Sequence, residues 1–399
     1  MNKLIKTPED HAEALKRLDD LMAHNPAAGT DECFELELLA HLVEEYEQRH
    51  FDLGVPSPVE AILFRMEQQG LKAKDLVPYL GSRSKVSEVL NGKRSLTLAM
   101  IRKLHSGLGI PLGVLIGGKE DPLPEIIPAE RFPLKEMFDR GWFDWFTGTW
   151  RQAREQGEEL LQRFFNNHFN LQEIPALHRQ KVRSGSKEDL YALHAWKTRV
   201  IRMTSNRQIK APFDAAAINE TFINNLRTLS LYEEGPKLAI SLLEKYGIAV
   251  VIEAHLKGTH LDGAALRMTG GGPVIALTLR YDRLDHFWFC LFHELCHVTQ
   301  HLFDDEADAF FDNLDDAGDR AEVEADQYAM DALIPRLEWA RIRKEPKPTV
   351  RFICDEARRL VVHPSILAGR IRREEQNYSL FTQLIGQGEV RRLFPEWKK

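Results

Sequence analysis

The segment 285–303, DHFWFCLFHELCHVTQHLF, sets the hardest condition on any fold this chain can adopt. It is apolar enough to belong inside, yet it carries His293, Glu294 and His297 within five residues. Polar side chains buried without partners are costly, so a helix here must bring those groups to something that satisfies them. Residues four apart share a helix face, which lets His293 and His297 grip one ion. Glu294, turned about 100° from His293, can stand beside the ion without being a ligand. Zinc lowers the pKa of bound water towards ~7, and a neighbouring carboxylate can take its proton. The competing reading is a packed helix with two exposed histidines, and the apolar surroundings argue against it.

A catalytic zinc needs a third protein ligand and an open position. The segment 320–335, RAEVEADQYAMDALIP, offers Glu322 and Asp326 four apart, on the face of Ala325 and Ala329. Those small side chains permit close helix packing. Glu322 is the expected third ligand, and Asp326 is expected to accept the N–H of a liganding histidine. Glu324 and His301 are fallback ligands. Two histidines and a glutamate suit zinc better than manganese.

Together, DRLDHFWFCLFHELCHV and EVEADQYAMDALIP resemble the ImmA/IrrE family of metallopeptidases. The pattern matches at His293, Glu294, His297, Glu322, Ala325, Asp326, Tyr328, Ala329 and Pro335, over about 235–340. Tyr328 stands where the family usually has Phe. The resemblance implies a zincin-like domain with an intact zinc site and a protein substrate, typically a repressor that the enzyme destroys.

Around this pair of helices, IAVVIEA (248–254) and PVIALTLR (273–280) read as strands, with GTHLDG and TGGGP as turns. The glycines 270–272 lack a phosphate-loop lysine and read as a hairpin turn. The strand at 273–280 is expected at the cleft rim, where it could pair with an extended peptide.

Charge is uneven along the chain. Residues 1–60 hold 14 Asp/Glu against 5 Lys/Arg, whereas 71–105 hold 8 Lys/Arg against Asp75 and Glu88. Within the basic stretch, LKAKDLVPYLGSRSKVSEVLNGKR reads as helix, tight turn at Gly81, second helix. Leu76, Val77 and Leu80 should pack against Val86, Val89 and Leu90. Arg83, Ser84, Lys85 and Ser87 then occupy the start and outer face of the second helix, as in a helix-turn-helix reader of the major groove. Lys93 and Arg94 suit phosphates. Residues from about 30 to 117 resemble helix-turn-helix antitoxins of the HigA type. The resemblance implies a homodimer on a palindromic operator, often the protein's own promoter.

These readings organise the 399 residues into an acidic helical segment (1–55), a helix-turn-helix domain (56–117) and a Pro/Gly-rich linker (118–134). A helical region (135–235), a metallopeptidase core (236–345) and a C-terminal helical segment (346–399) follow. The expected class is mainly α with a small β-sheet. No apolar run approaches the ~20 residues of a membrane span, and no secretory signal opens the chain. Four cysteines, Cys33, Cys290, Cys296 and Cys354, show no C-x-x-C spacing, so a reducing cytoplasm is the expected compartment.

Three smaller signals have plain readings beside sharper ones. Cys296 reads as a small buried hydrophobe rather than a redox sensor. Residues 304–319, with eight Asp/Glu and no Lys/Arg, read as a solvated loop or as a lure for a basic substrate. GWFDWFTGTW (141–150) reads as helix packing. The functional expectation is a DNA-binding regulator that cuts a regulatory protein, itself or a partner, to end repression. The alternative is a non-enzymatic antitoxin and autorepressor whose metal domain senses zinc or binds a partner.

Overall fold

Proline, serine and glycine set the helix boundaries of the amino-terminal part. Thr7 and Ser57 each cap a helix whose first residue is a proline, and Asp10 and Glu60 close the capping boxes. The computed structural model describes residues 4–50, 56–117, 126–165, 189–205, 207, 209, 211–268, 272–302, 309–312, 320–345 and 347–397. The chain divides into two compact units, Met1–Leu123 and Pro124–Lys399. Among the described residues no helix is long and apolar enough to cross a membrane. Mainly helical structure with a small sheet is what the sequence leads one to expect.

In the first unit, α1 (Pro8–His24) and α2 (Asp31–His50) pair through Ala14, Leu21, Leu39 and Val43. Arg17 bridges to Glu35 at 2.7 Å across them. Leu38 of α2 is exposed. A second core gathers α3 (Pro58–Gln69), α4 (Val77–Leu80), α5 (Arg83–Leu90), α6 (Leu98–Leu108) and α7 (Leu112–Leu115). Leu76, Leu80, Val86 and Val89 are buried there as expected, with Val77 and Leu90 partly so. The single helix expected over 72–80 is instead a 3₁₀ turn, Ala73–Leu76, followed by α4. Pro78 explains the break, since it lacks an N–H and is tolerated only in a first turn. Gly81 makes the sharp turn at φ 101°, a backbone region that costs most other residues energy.

The second unit is built around one four-stranded sheet in the order β1-β3-β2-β4. The strands are β1 (Ala249–Ile252), β2 (Gly263–Arg267), β3 (Pro273–Leu277) and β4 (Ala309–Asp312). β3 runs parallel to β1 and antiparallel to β2, and β4 pairs antiparallel with β2. This overturns the expectation that the 273–280 strand offers an edge to a peptide: β3 is hydrogen-bonded on both sides, and the edges are β1 and β4. Of the three glycines 270–272 expected at a hairpin turn, 270 and 271 lie outside the described residues.

Both faces of the sheet are covered, so the strands read as unbroken apolar runs rather than alternating ones. On one face Val250, Ile252, Ala265, Ile275 and Leu277 meet α12 (Glu220–Thr228), α13 (Gly235–Lys245) and α14 (Leu284–Cys296). The same core takes in α15 (Arg320–Leu333), α16 (Arg336–Ile342), α17 (Val350–Leu360) and α18 (Pro364–Glu374). On the other face Ala249, Val251, Ala264, Leu266, Val274 and Ala276 meet a core built from residues 127–165 and 190–200. That core includes α8 (Leu134–Asp139), α9 (Trp150–Glu155), α10 (Gly157–Phe164) and α11 (Leu190–Ser205). Trp142 stacks on Phe164 at 5.9 Å within it, which is the packing role expected for the aromatic run. Of the expected linker, residues 118–125 lie outside the described residues. Ile127, Phe132 and Leu134 are buried in this core, so the second half of that stretch is packed structure.

Candidate metal centre and nucleic-acid interface

α14 packs one face on the sheet and another on α15, which brings the two halves of the proposed ligand set together. His293 and His297 lie one turn apart, 1% and 0% exposed. Their Nε2 atoms are 3.0 Å apart. Glu322 on α15 places Oε2 3.1 Å from His293 Nε2 and Oε1 3.6 Å from His297 Nε2. Among the described residues, His293, His297 and Glu322 form a group able to hold an ion, their ligand atoms all within 4.8 Å of one another. The donor set fits zinc: two imidazole nitrogens and a carboxylate, drawn together in an otherwise apolar setting.

The electrostatics agree with that use. Burial works against the charge on Glu322, but hydrogen bonds from His293 and His297 outweigh it and hold the carboxyl far below the usual range. Burial lowers the pKa of His297, favouring the neutral imidazole that a metal requires. Asp326 Oδ1 sits 3.1 Å from His293 Nδ1. Arg373 on α18 donates to the other oxygen of Asp326 at 2.5 Å.

Both fallback ligands face elsewhere. Helix α14 continues into a π-turn over His297–His301, a local widening common at functional sites. His301 Nδ1 there meets His297 Nδ1 at 2.9 Å, across the ring from the nitrogen that faces Glu322. Glu324 pairs with Arg320 at 2.8 Å and lies 3.4 Å from His301 Nε2. Glu294 is fully buried, and its carboxylate lies against Gly263, the first residue of β2. Burial beside nearby carboxylates pushes the Cys296 thiol up to about 12, which disfavours the reactive thiolate. The cysteines are free, as expected. Of the acidic stretch 304–319, all but 309–312 lies outside the described residues.

Sequence reasoning missed Gly263 and Arg373. The GTHLDG run looked like a turn, and nothing in periodicity links residue 373 to residue 326.

In the first unit, Ser82 caps α5 by accepting from the Lys85 N–H at 3.3 Å. Arg83, Ser84, Ser87 and Lys93 are exposed, and Lys85 and Arg94 are half-buried. Ser84, Ser87 and Arg94, among the six residues expected to contact DNA, are engaged within the unit. Glu88 accepts from Arg94 Nε at 2.5 Å and from Ser84 Oγ at 2.9 Å. Ser87 Oγ accepts from Asn91 Nδ2 at 3.3 Å. Arg83 and Lys93 are the exposed cations of this set.

No family model and no solved structure matches the chain. Antitoxin HigA of Escherichia coli K12 is 32% identical to it over 115 residues, 28% of this chain and 83% of the antitoxin. Antitoxin HigA of Shigella flexneri matches with the same identity and the same coverage. Over those residues, the chain belongs to the HigA antitoxin family.

Proposed function

We propose that the chain is a DNA-binding regulator of the antitoxin kind that also hydrolyses peptide bonds with a divalent ion, zinc by its donor set. One observation carries the enzymatic part. His293, His297 and Glu322 converge within 4.8 Å, and Glu294 is fully buried on the same helix. The ion, when bound, supplies Lewis-acid polarisation of the scissile carbonyl. His293, His297 and Glu322 hold it, and Asp326 fixes the tautomer of His293 by accepting from Nδ1. Glu294 takes a proton from the attacking water and passes it to the leaving amine.

HigA membership supports the DNA-binding part, with Arg83, Ser84, Lys85 and Ser87 on the reading helix and Lys93 and Arg94 at its exit. The implied target is a palindromic operator bound by a homodimer. The substrate class is a regulatory protein, a partner or this chain itself. Self-cleavage in the linker near 116–134 would have to avoid Ile127, Phe132 and Leu134, which are buried.

The deciding experiment compares whole proteomes of cells carrying wild type and Glu294→Gln. The expected result is at least one protein cut only by the wild type. Identical proteomes, with zinc bound in both proteins, would sink the enzymatic reading. A non-enzymatic antitoxin whose metal site senses zinc is the second reading, favoured by the HigA identity. It predicts that His293→Ala shifts DNA affinity while Glu294→Gln changes no output.

A further inference from the structure

Apart from the histidine cluster, the second unit contains a cavity of about 330 Å³ between α14, α15 and α18. That volume is in the range of small-molecule sites. Phe289, Met330, Leu333 and Ile366 give it an apolar lining, and arginines line it as well. Most of its charges are matched. Arg283 Nε lies 3.0 Å from Asp285, Arg370 Nε 3.1 Å from Glu374, and Arg373 Nη2 2.5 Å from Asp326. Asp262 faces His286 at 3.3 Å and Arg280 at 3.6 Å.

Arg372 is matched least: it makes no ion pair among the described residues and stands 6.0 Å from the Tyr378 ring centre. It lines the cavity and is 4% exposed. It donates from Nη2 to the Tyr378 carbonyl, while its Nε and Nη1 have no hydrogen-bond partner among the described residues. Asp285 attracts it but is held by Arg283, which itself repels Arg372. A guanidinium does not give up its proton in a protein, and leaving buried charged donors unmet is expensive. Planar donors of this kind match a carboxylate or phosphate.

We propose that this cavity binds a small organic anion, with its carboxylate or phosphate head on Arg372 and its apolar body among Phe289, Leu333 and Ile366. The head could belong to a free acid or to the C-terminus of a peptide. The assignment does not depend on peptide cleavage.

The test uses the full chain carrying Glu294→Gln, in metal-free buffer, so it stands or falls apart from the enzymatic reading. Calorimetry measures binding of octanoate, octyl phosphate, octanol, and acetyl-dileucine with a free or an amidated C-terminus. Binding of octanoate or octyl phosphate without octanol is expected, weakened roughly tenfold or more by Arg372→Met. Ile366→Trp, which fills the cavity, should abolish it, and serves if Arg372→Met fails to fold. If only the free-acid peptide binds, the site is for a chain end. Equal binding of octanol, no binding of any anion at millimolar concentration, or binding unchanged in both variants would overturn the proposal.

Discussion

The Glu294 carboxylate lies so close to Gly263 that a Cβ on the glycine would stand 2.3 Å from Oε1. β2 therefore has to begin with the residue that has no side chain. Gly263→Ala should force the carboxylate aside and cost about 1–3 kcal/mol of stability. It should also lower cleavage by on the order of 10²-fold, the scale of a lost proton-transfer group. Zinc stoichiometry should stay that of the wild type. Thermal melts, metal analysis and the wild-type-specific proteolytic product check the three parts, and an unimpaired Gly263→Ala peptidase would refute the positioning role.

Asp326 joins His293 to Arg373, and its removal should loosen the ligand without deleting it. Asp326→Asn is expected to weaken zinc binding by roughly 10–100-fold. Glu322→Ala, which removes a ligand, should weaken it further. Competition against a chromophoric chelator measures both, and equal affinities in wild type and Asp326→Asn would contradict the assignment.

Glu88 engages both Ser84 and Arg94. Glu88→Gln should free Arg94 for a phosphate. Affinity for duplex DNA should rise, and the slope of log affinity against log salt should steepen by about one. Fluorescence anisotropy over a salt series reads both quantities. An unchanged slope would mean that Arg94 does not reach the backbone.

His194 gives the fold a pH dependence of its own. Burial, then the charge of Lys197, lowers its pKa to about 4 from an ordinary 6.5. The folded state favours the neutral ring, so protonation favours the unfolded chain. The stabilisation is complete above pH 6.5 and is lost as pH falls towards 4, about 3 kcal/mol over that window. His194→Gln should flatten that part of the curve in denaturant melts run from pH 7 to pH 4.

The convergence of His293 and His297 was legible because residues four apart share a helix face, and the apolar context of 285–303 argued against a surface helix. The core of the reading domain was legible for the same reason. β2 was not: its residues Gly263, Ala264 and Ala265 carry little strand preference of their own, and they pair because β3 and β4 flank them. Mistaking β3 for an edge came from the same gap, since an unseen β2 left one side of it open. Arg373 lies 47 residues beyond Asp326, and the packing of both α15 and α18 on α14 brings them together.

The sheet has one further consequence. Its strands alternate between two cores, with Val250 and Ile275 facing one and Val251 and Ala276 the other. A fragment trimmed to begin near residue 236 would keep His293, His297 and Glu322 and bare an entire oily flank of the sheet. Such a fragment should precipitate or self-associate rather than work. Residues 127–165 and 190–200 thus act as the other half of one indivisible building block, and α14 and α15 cannot be inherited or transplanted without them.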